Sequence, residues 1–60
     1  MILYKVFKET LVNTCPVEWE KEFLPHGTFY DVKSALEYKK LAEKQEKANN
    51  VWYDILVKEL

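Results

Sequence analysis

The chain has 60 residues, a formal net charge of −1 and 48% apolar residues. With one cysteine and one histidine it excludes an internal disulfide, and it excludes a zinc site built from Cys and His ligands within one chain. All nine basic residues are lysines interspersed with ten acidic ones, which argues against both a polybasic nucleic-acid surface and an acidic DNA mimic.

A domain this small buries only about 60% of the surface its unfolded chain exposes, so it needs unusually good packing or a partner. Nine aromatic residues predict that it folds. The start, MILYKVFKE, has no basic segment ahead of an apolar run, and nothing approaches the roughly 20 apolar residues of a membrane span. The expectation is a single domain over residues 1–60, soluble and cytoplasmic, with Cys15 a free thiol and no cofactor.

Residues 2–9 are rich in β-branched and aromatic types and apolar on both faces of an extended chain, with Ile2, Tyr4 and Val6 against Leu3, Lys5 and Phe7. They predict strand one. Asn13, Thr14 and Pro16 then place a reversal within 11–16, with Cys15 in the loop. From Val17 the alternation is strict: Val17, Trp19 and Phe23 are expected on the core face, interrupted by Lys21, and Glu18, Glu20 and Glu22 on the other. Leu24-Pro25-His26-Gly27 reads as a turn in which Pro25 supplies φ and Gly27 takes a positive φ.

The segment DVKSALEYKKLAEKQEKANN predicts a helix. Asp31 can cap its start, with Ser34 and Glu37 as an alternative capping box. At about 100° per residue, Ala35, Tyr38, Leu41, Ala42, Gln45 and Ala48 share one side, and Lys33, Glu37, Lys40, Lys44 and Lys47 the other. Asn49-Asn50 suit the stop, and Glu43 and Lys47 form an i,i+4 pair. The last stretch, VWYDILVKEL, is strand three, with Val51, Tyr53, Ile55 and Val57 toward the core and Trp52 and Leu56 on the opposite face.

A helix between strands two and three sets those strands parallel with strand one between them. The fold class is α+β, ββαβ: a three-stranded antiparallel sheet of order 2-1-3 with the helix on one face. The other face would carry Leu3, Lys5 and Phe7 in the centre, Glu18, Glu20 and Glu22 on one side, and Trp52, Asp54, Leu56 and Lys58 on the other. One short helix covers one face, so Leu3, Phe7, Trp52 and Leu56 are the expected interface. Glu18, Glu20 and Glu22 are candidate partner-contact charges, although acidic residues on an edge strand also serve simply to prevent aggregation. Glu20 or Asp54 is expected to neutralise Lys5 across the sheet.

No catalytic, cofactor or metal motif is present. Cys15 lacks a paired base, since the one histidine, His26, lies in a different turn, where a backbone role outweighs a ligand or pH-switch role. The leading functional expectation is a non-enzymatic, homodimeric interaction protein that regulates or inhibits a larger protein. A nucleic-acid-binding module using Lys40, Lys44 and Lys47 with the exposed aromatics is the alternative, and a small-molecule binder at a dimer interface the third.

Residues Phe29-Tyr30-Asp31-Val32-Lys33-Ser34-Ala35-Leu36-Glu37-Tyr38, followed by Asn49-Asn50-Val51-Trp52-Tyr53-Asp54-Ile55, resemble a helix-then-strand segment of very short bacteriophage accessory proteins. The resemblance covers about half the chain. Such proteins include homodimeric inhibitors of bacterial antiviral defence, of the anti-Hachiman type. The resemblance implies a role of that kind and carries over no functional residue.

Overall fold

The computed structural model describes residues Met1–Leu60. Strand β1 (Ile2–Thr14) turns tightly at Cys15-Pro16, joined by a cis peptide bond, into β2 (Val17–Phe29). Helix α1 (Val32–Gln45) and strand β3 (Val51–Glu59) follow. The sheet has the order β2-β1-β3 and both pairings are antiparallel, the expected α+β arrangement.

The strands of the hairpin are longer than their predicted lengths. β1 runs to Thr14, and the reversal is confined to Cys15-Pro16, where the Cys15 amide donates to Asn13 Oδ1 at 3.3 Å. β3 pairs with β1 only as far as Thr10–Val51, so the tip of the hairpin projects beyond the third strand. The molecule is correspondingly flat, 40 × 25 × 15 Å.

The predicted turn at Leu24–Gly27 lies inside β2 as a bulge. β1 advances from Lys5 to Phe7 while β2 advances from Phe23 to Thr28, so β2 carries three more residues between those pairs. His26, not Gly27, takes the left-handed backbone, with φ 65°; histidine is among the residue types that occupy this region more readily than most. Gly27 is buried for a different reason. A Cβ there would stand 3.1 Å from the Leu24 carbonyl oxygen and 3.3 Å from that of Val6, so the lack of a side chain lets two backbone segments approach.

Helix α1 starts as expected: Asp31 is extended, and its carboxylate accepts from the Ser34 amide at 2.8 Å and from the Ser34 hydroxyl at 2.9 Å. It stops at Gln45, well short of Asn49-Asn50. There the Glu46 carboxylate accepts from the amides of Lys47 and Ala48, both at 3.1 Å, and bends the chain toward β3. The expected Glu43–Lys47 pair is therefore replaced by Lys39–Glu43, at 3.3 Å.

The helix lies on the face of the sheet formed by Tyr4, Val6, Ile55, Tyr53 and Phe29. Ala35 and Val6, 0% and 1% exposed, are the closest-packed residues, and the Phe29 and Tyr38 rings meet at 5.4 Å. The Tyr38 hydroxyl donates to the Pro25 carbonyl at 3.2 Å, which ties the helix to the bulge. Leu41, assigned to the core by its spacing, is 56% exposed because its position falls beside the packed line of Ala35, Tyr38, Lys39, Ala42 and Glu46.

Candidate functional site

Directly opposed residues of an antiparallel pair share a face. The pairs Phe7–Phe23, Glu9–Lys21 and Leu11–Trp19 therefore put Phe23, Lys21 and Trp19 on the face away from the helix. Leu3–Lys58, Lys5–Leu56, Phe7–Asp54 and Glu9–Trp52 complete that open face from β3. This corrects the sequence reading of β2: Val17, Trp19 and Phe23 do not point into the core. Glu20 and Glu22 lie on the helix side, beside Thr10 and Lys8, and alternation puts Glu18 with them.

The reason is the bulge. Phe23 and Phe29 are six residues apart and would share a face in an uninterrupted strand. The three additional residues reverse this, giving Phe29 to the helix and Phe23 to the open face.

Four large side chains on the open face stay between 41% and 51% exposed: Leu56, Trp19, Phe23 and Trp52. Leu3 is half-buried. Phe7, expected in the exposed patch, is only 7% exposed, because neighbours on the same face cover it. The Phe23 ring meets it edge-on at 5.8 Å, and Lys21 Nζ stands 4.7 Å from its centroid. Trp19 and Trp52 reach across β1 to meet edge-on at 5.1 Å. Such aromatic pairs stabilise by about 0.5–1.5 kcal/mol beyond their burial. Lys5 stands 5.9 Å from the Phe23 ring centroid and has no ionic partner, so neither Glu20 nor Asp54 neutralises it. Asp54 instead accepts from the Ile55 amide at 2.8 Å. The surface is thus an aromatic floor with lysine stems laid along it, flanked by Glu9 and Asp54.

Trp19, Lys21 and Phe23 are the residues the sequence reading misplaced. Counting the hairpin register back from Cys15-Pro16 does not find them: the Thr14–Val17 register continued unbroken would oppose Val12 to Trp19, and a shift between Leu11 and Asn13 instead pairs Leu11 with Trp19 and Phe7 with Phe23.

The polar groups gather on the other side of the sheet. Glu22 lies 3.9 Å from Lys8, which is near the Tyr53–Glu46 hydrogen bond of 3.3 Å. The Ala48 amide, with help from Lys47, Tyr53 and Lys8, holds the Glu46 carboxyl below its usual range. Burial, with the Glu46 charge, pushes the Tyr53 hydroxyl up. These groups join the end of α1 to the sheet. A shallow depression of about 280 Å³ opens between Trp19 and Trp52, lined also by Glu9, Tyr53 and Asp54.

Cys15 is exposed at the hairpin tip and His26 is exposed in the bulge of β2. No three His, Cys, Asp or Glu residues are grouped to hold a metal ion, and no helix is long and apolar enough to cross a membrane. Lys40, Lys44 and Lys47 are exposed on the helix side, whereas Trp19 and Trp52 are on the opposite face, so these lysines and aromatics do not form one contact surface. In comparisons with protein-family models, curated proteins and solved structures, none matches this chain.

Proposed function

We propose that this protein is a non-enzymatic interaction protein, acting as a homodimer, that regulates or inhibits a larger protein of its host cell. The observation that supports this reading is the open sheet face, where Trp19, Phe23, Trp52 and Leu56 are only half covered. Full burial of a large apolar side chain contributes about 1.5–3 kcal/mol, and half of that remains to be gained at each of these four positions. Aromatic anchors with a charged margin are the usual make-up of a protein contact surface.

The test compares the unaltered chain with Trp52→Glu, by light scattering after size exclusion and by retention of host proteins on each immobilised chain. The resemblance of residues 29–38 and 49–55 to phage accessory proteins makes host defence proteins the first targets to assay. The expected result is that Trp52→Glu, still folded, loses self-association or a specific retained protein. If it loses neither, the open face is not a contact surface.

One observation favours a second reading. Lys5, Lys21 and Lys58 share the open face with the two tryptophans, a combination that could stack and neutralise single-stranded nucleic acid. Glu9 and Asp54 on the same face oppose it. A salt-sensitive, sub-micromolar affinity for an oligonucleotide would favour this reading over the first.

A further inference from the structure

Resting on the reading of the open face as a contact surface, a finer pattern identifies its occupant. Along β1 that face runs Leu3, Lys5, Phe7, Glu9, Leu11, which is apolar, positive, apolar, negative, apolar. The charges invert about Phe7. We infer that the open face closes on a second copy of this chain, about a two-fold axis through Phe7 that crosses the strands, so that Lys5 of each copy meets Glu9 of the other.

The geometry follows from symmetry. Two sheets stacked face to face and related by a two-fold have the axis between them, running near the strand direction or across it. An axis along the strands sets Lys5 over Lys5 and Glu9 over Glu9, with like charges opposed at the centre. An axis across the strands sets Lys5 over Glu9 and Leu3 over Leu11. Because Leu56 is paired with Lys5 and Trp52 with Glu9, it also sets Leu56 over Trp52, and Phe23 meets Phe23 beside the central Phe7. Only the second arrangement matches Lys5 with Glu9 and Leu56 with Trp52.

The available area fits a second copy. From Leu3 to Leu11 at ~3.4 Å per residue, with three strands ~4.8 Å apart, the face measures on the order of 30 × 15 Å before the projecting hairpin is added. Two such faces with their side-chain relief bury on the order of 1,000 Å², the lower limit for a specific interface. Two features of the arrangement are unfavourable: Asp54, paired with Phe7, meets its own copy, and Lys21, whose Nζ stands 4.7 Å from the Phe7 centroid, comes to the axis beside its own copy. Asp54 lies between Leu56 and Trp52 on the same face, so these like-charge contacts oppose dimerisation, and the two Lys5–Glu9 matches must outweigh them.

Sedimentation equilibrium of the full chain and its charge variants tests this, with circular dichroism to verify that each variant is folded. The unaltered chain should dimerise at micromolar concentration. Lys5→Glu alone and Glu9→Lys alone each oppose like charges at two places and should weaken dimerisation by on the order of tenfold or more. At positions 5 and 9 the first variant carries two carboxylates and the second two ammonium groups. Mixed in equal amounts, the two variants therefore set opposite charges against each other and should recover a heterodimer.

Asp54→Asn should tighten the dimer several-fold, and it carries the test if a charge-reversed chain fails to fold. A monomeric unaltered chain, single variants that dimerise as well as it does, a mixture that stays apart, or an Asp54→Asn chain with unchanged affinity would each overturn the inference. The broader reading fails separately. If Trp52→Glu is monomeric but the mixture stays apart, the open face is a contact surface in a different register. If the unaltered chain is monomeric and binds a labelled single-stranded oligonucleotide, the face belongs to nucleic acid.

Discussion

The two faces of the sheet are built from different materials. Under the helix the contacts are close: Val6 and Ala35 are essentially inaccessible, and the hydroxyls of Tyr38 and Tyr53 each reach an acceptor. On the open face the residues are larger and looser, with two tryptophans and Phe23 about half exposed and lysine stems between them. Only Val6, Phe7, Gly27 and Ala35 are buried in the whole chain. With so few, a domain of this size keeps only about 3–5 kcal/mol of stability. Much of the aromatic content therefore lies outside the core: one face packs against the helix and the other stays about half exposed.

A carboxylate placed on each face should separate the two faces most strongly. Val6→Asp puts an unpaired charge where the helix meets the sheet, which costs more than the whole stability of the domain, and the chain should show the circular dichroism spectrum of an unfolded polypeptide. Trp52→Glu puts the same charge beside water and should keep the native spectrum, with a lower melting temperature as association is lost. If Trp52→Glu also unfolds the dilute chain, the open face belongs to the folding core and the division drawn above is wrong.

A smaller effect is expected at the bulge that assigns β2 to both faces. Gly27→Ala drives a methyl group toward the backbone oxygens of Leu24 and Val6 and should cost about 1–3 kcal/mol in urea unfolding. His26→Gly next to it relieves a left-handed side chain, offset by the greater freedom of glycine when unfolded, and should be neutral or stabilising by up to about 1 kcal/mol. A clearly destabilised His26→Gly chain would mean that His26 does not carry the left-handed backbone, and a Gly27→Ala chain as stable as the unaltered one would mean that the backbone approach at Gly27 is not tight.

The bulge also marks where sequence reasoning stops. The order β2-β1-β3 is legible because a helix between β2 and β3 forces a crossover, and Asp31 is legible because capping needs only a carboxylate and the amide three residues on. Alternation from Val17 to Phe23 separates two faces but does not say which one the helix covers. That depends on how many residues are inserted between Phe23 and Thr28, and Pro25 with Gly27 resembles a turn closely enough to hide an interrupted strand. The end of the helix fails for a related reason: Glu46 turns the chain with a side-chain hydrogen-bond pattern that periodicity does not register.

The smallest expected effect concerns the helix that separates the two faces, and it is a pH dependence. The Ser34 amide and then its hydroxyl, with Lys33 adding its charge, hold the Asp31 carboxyl below its ordinary value of 3.8. A depressed folded-state pKa means the carboxylate is favoured by folding, so its contribution is complete above pH 3.8 and is lost as pH falls through the depressed value. Glu46 follows the same sign from its ordinary 4.5. The melting temperature should therefore show no change from Asp31 between neutral pH and mild acid, then fall in strong acid. Asp31→Asn keeps an acceptor for the Ser34 amide but cannot titrate. It should melt close to the unaltered chain near neutral pH and lose part of the acid-induced decline, whereas Asp31→Ala should melt several degrees lower at neutral pH because the cap itself is gone. Equal acid declines in the unaltered chain and Asp31→Asn would show that the first turn of α1 does not depend on this charge. The acid sensitivity would then belong to Glu46 at the other end of the helix.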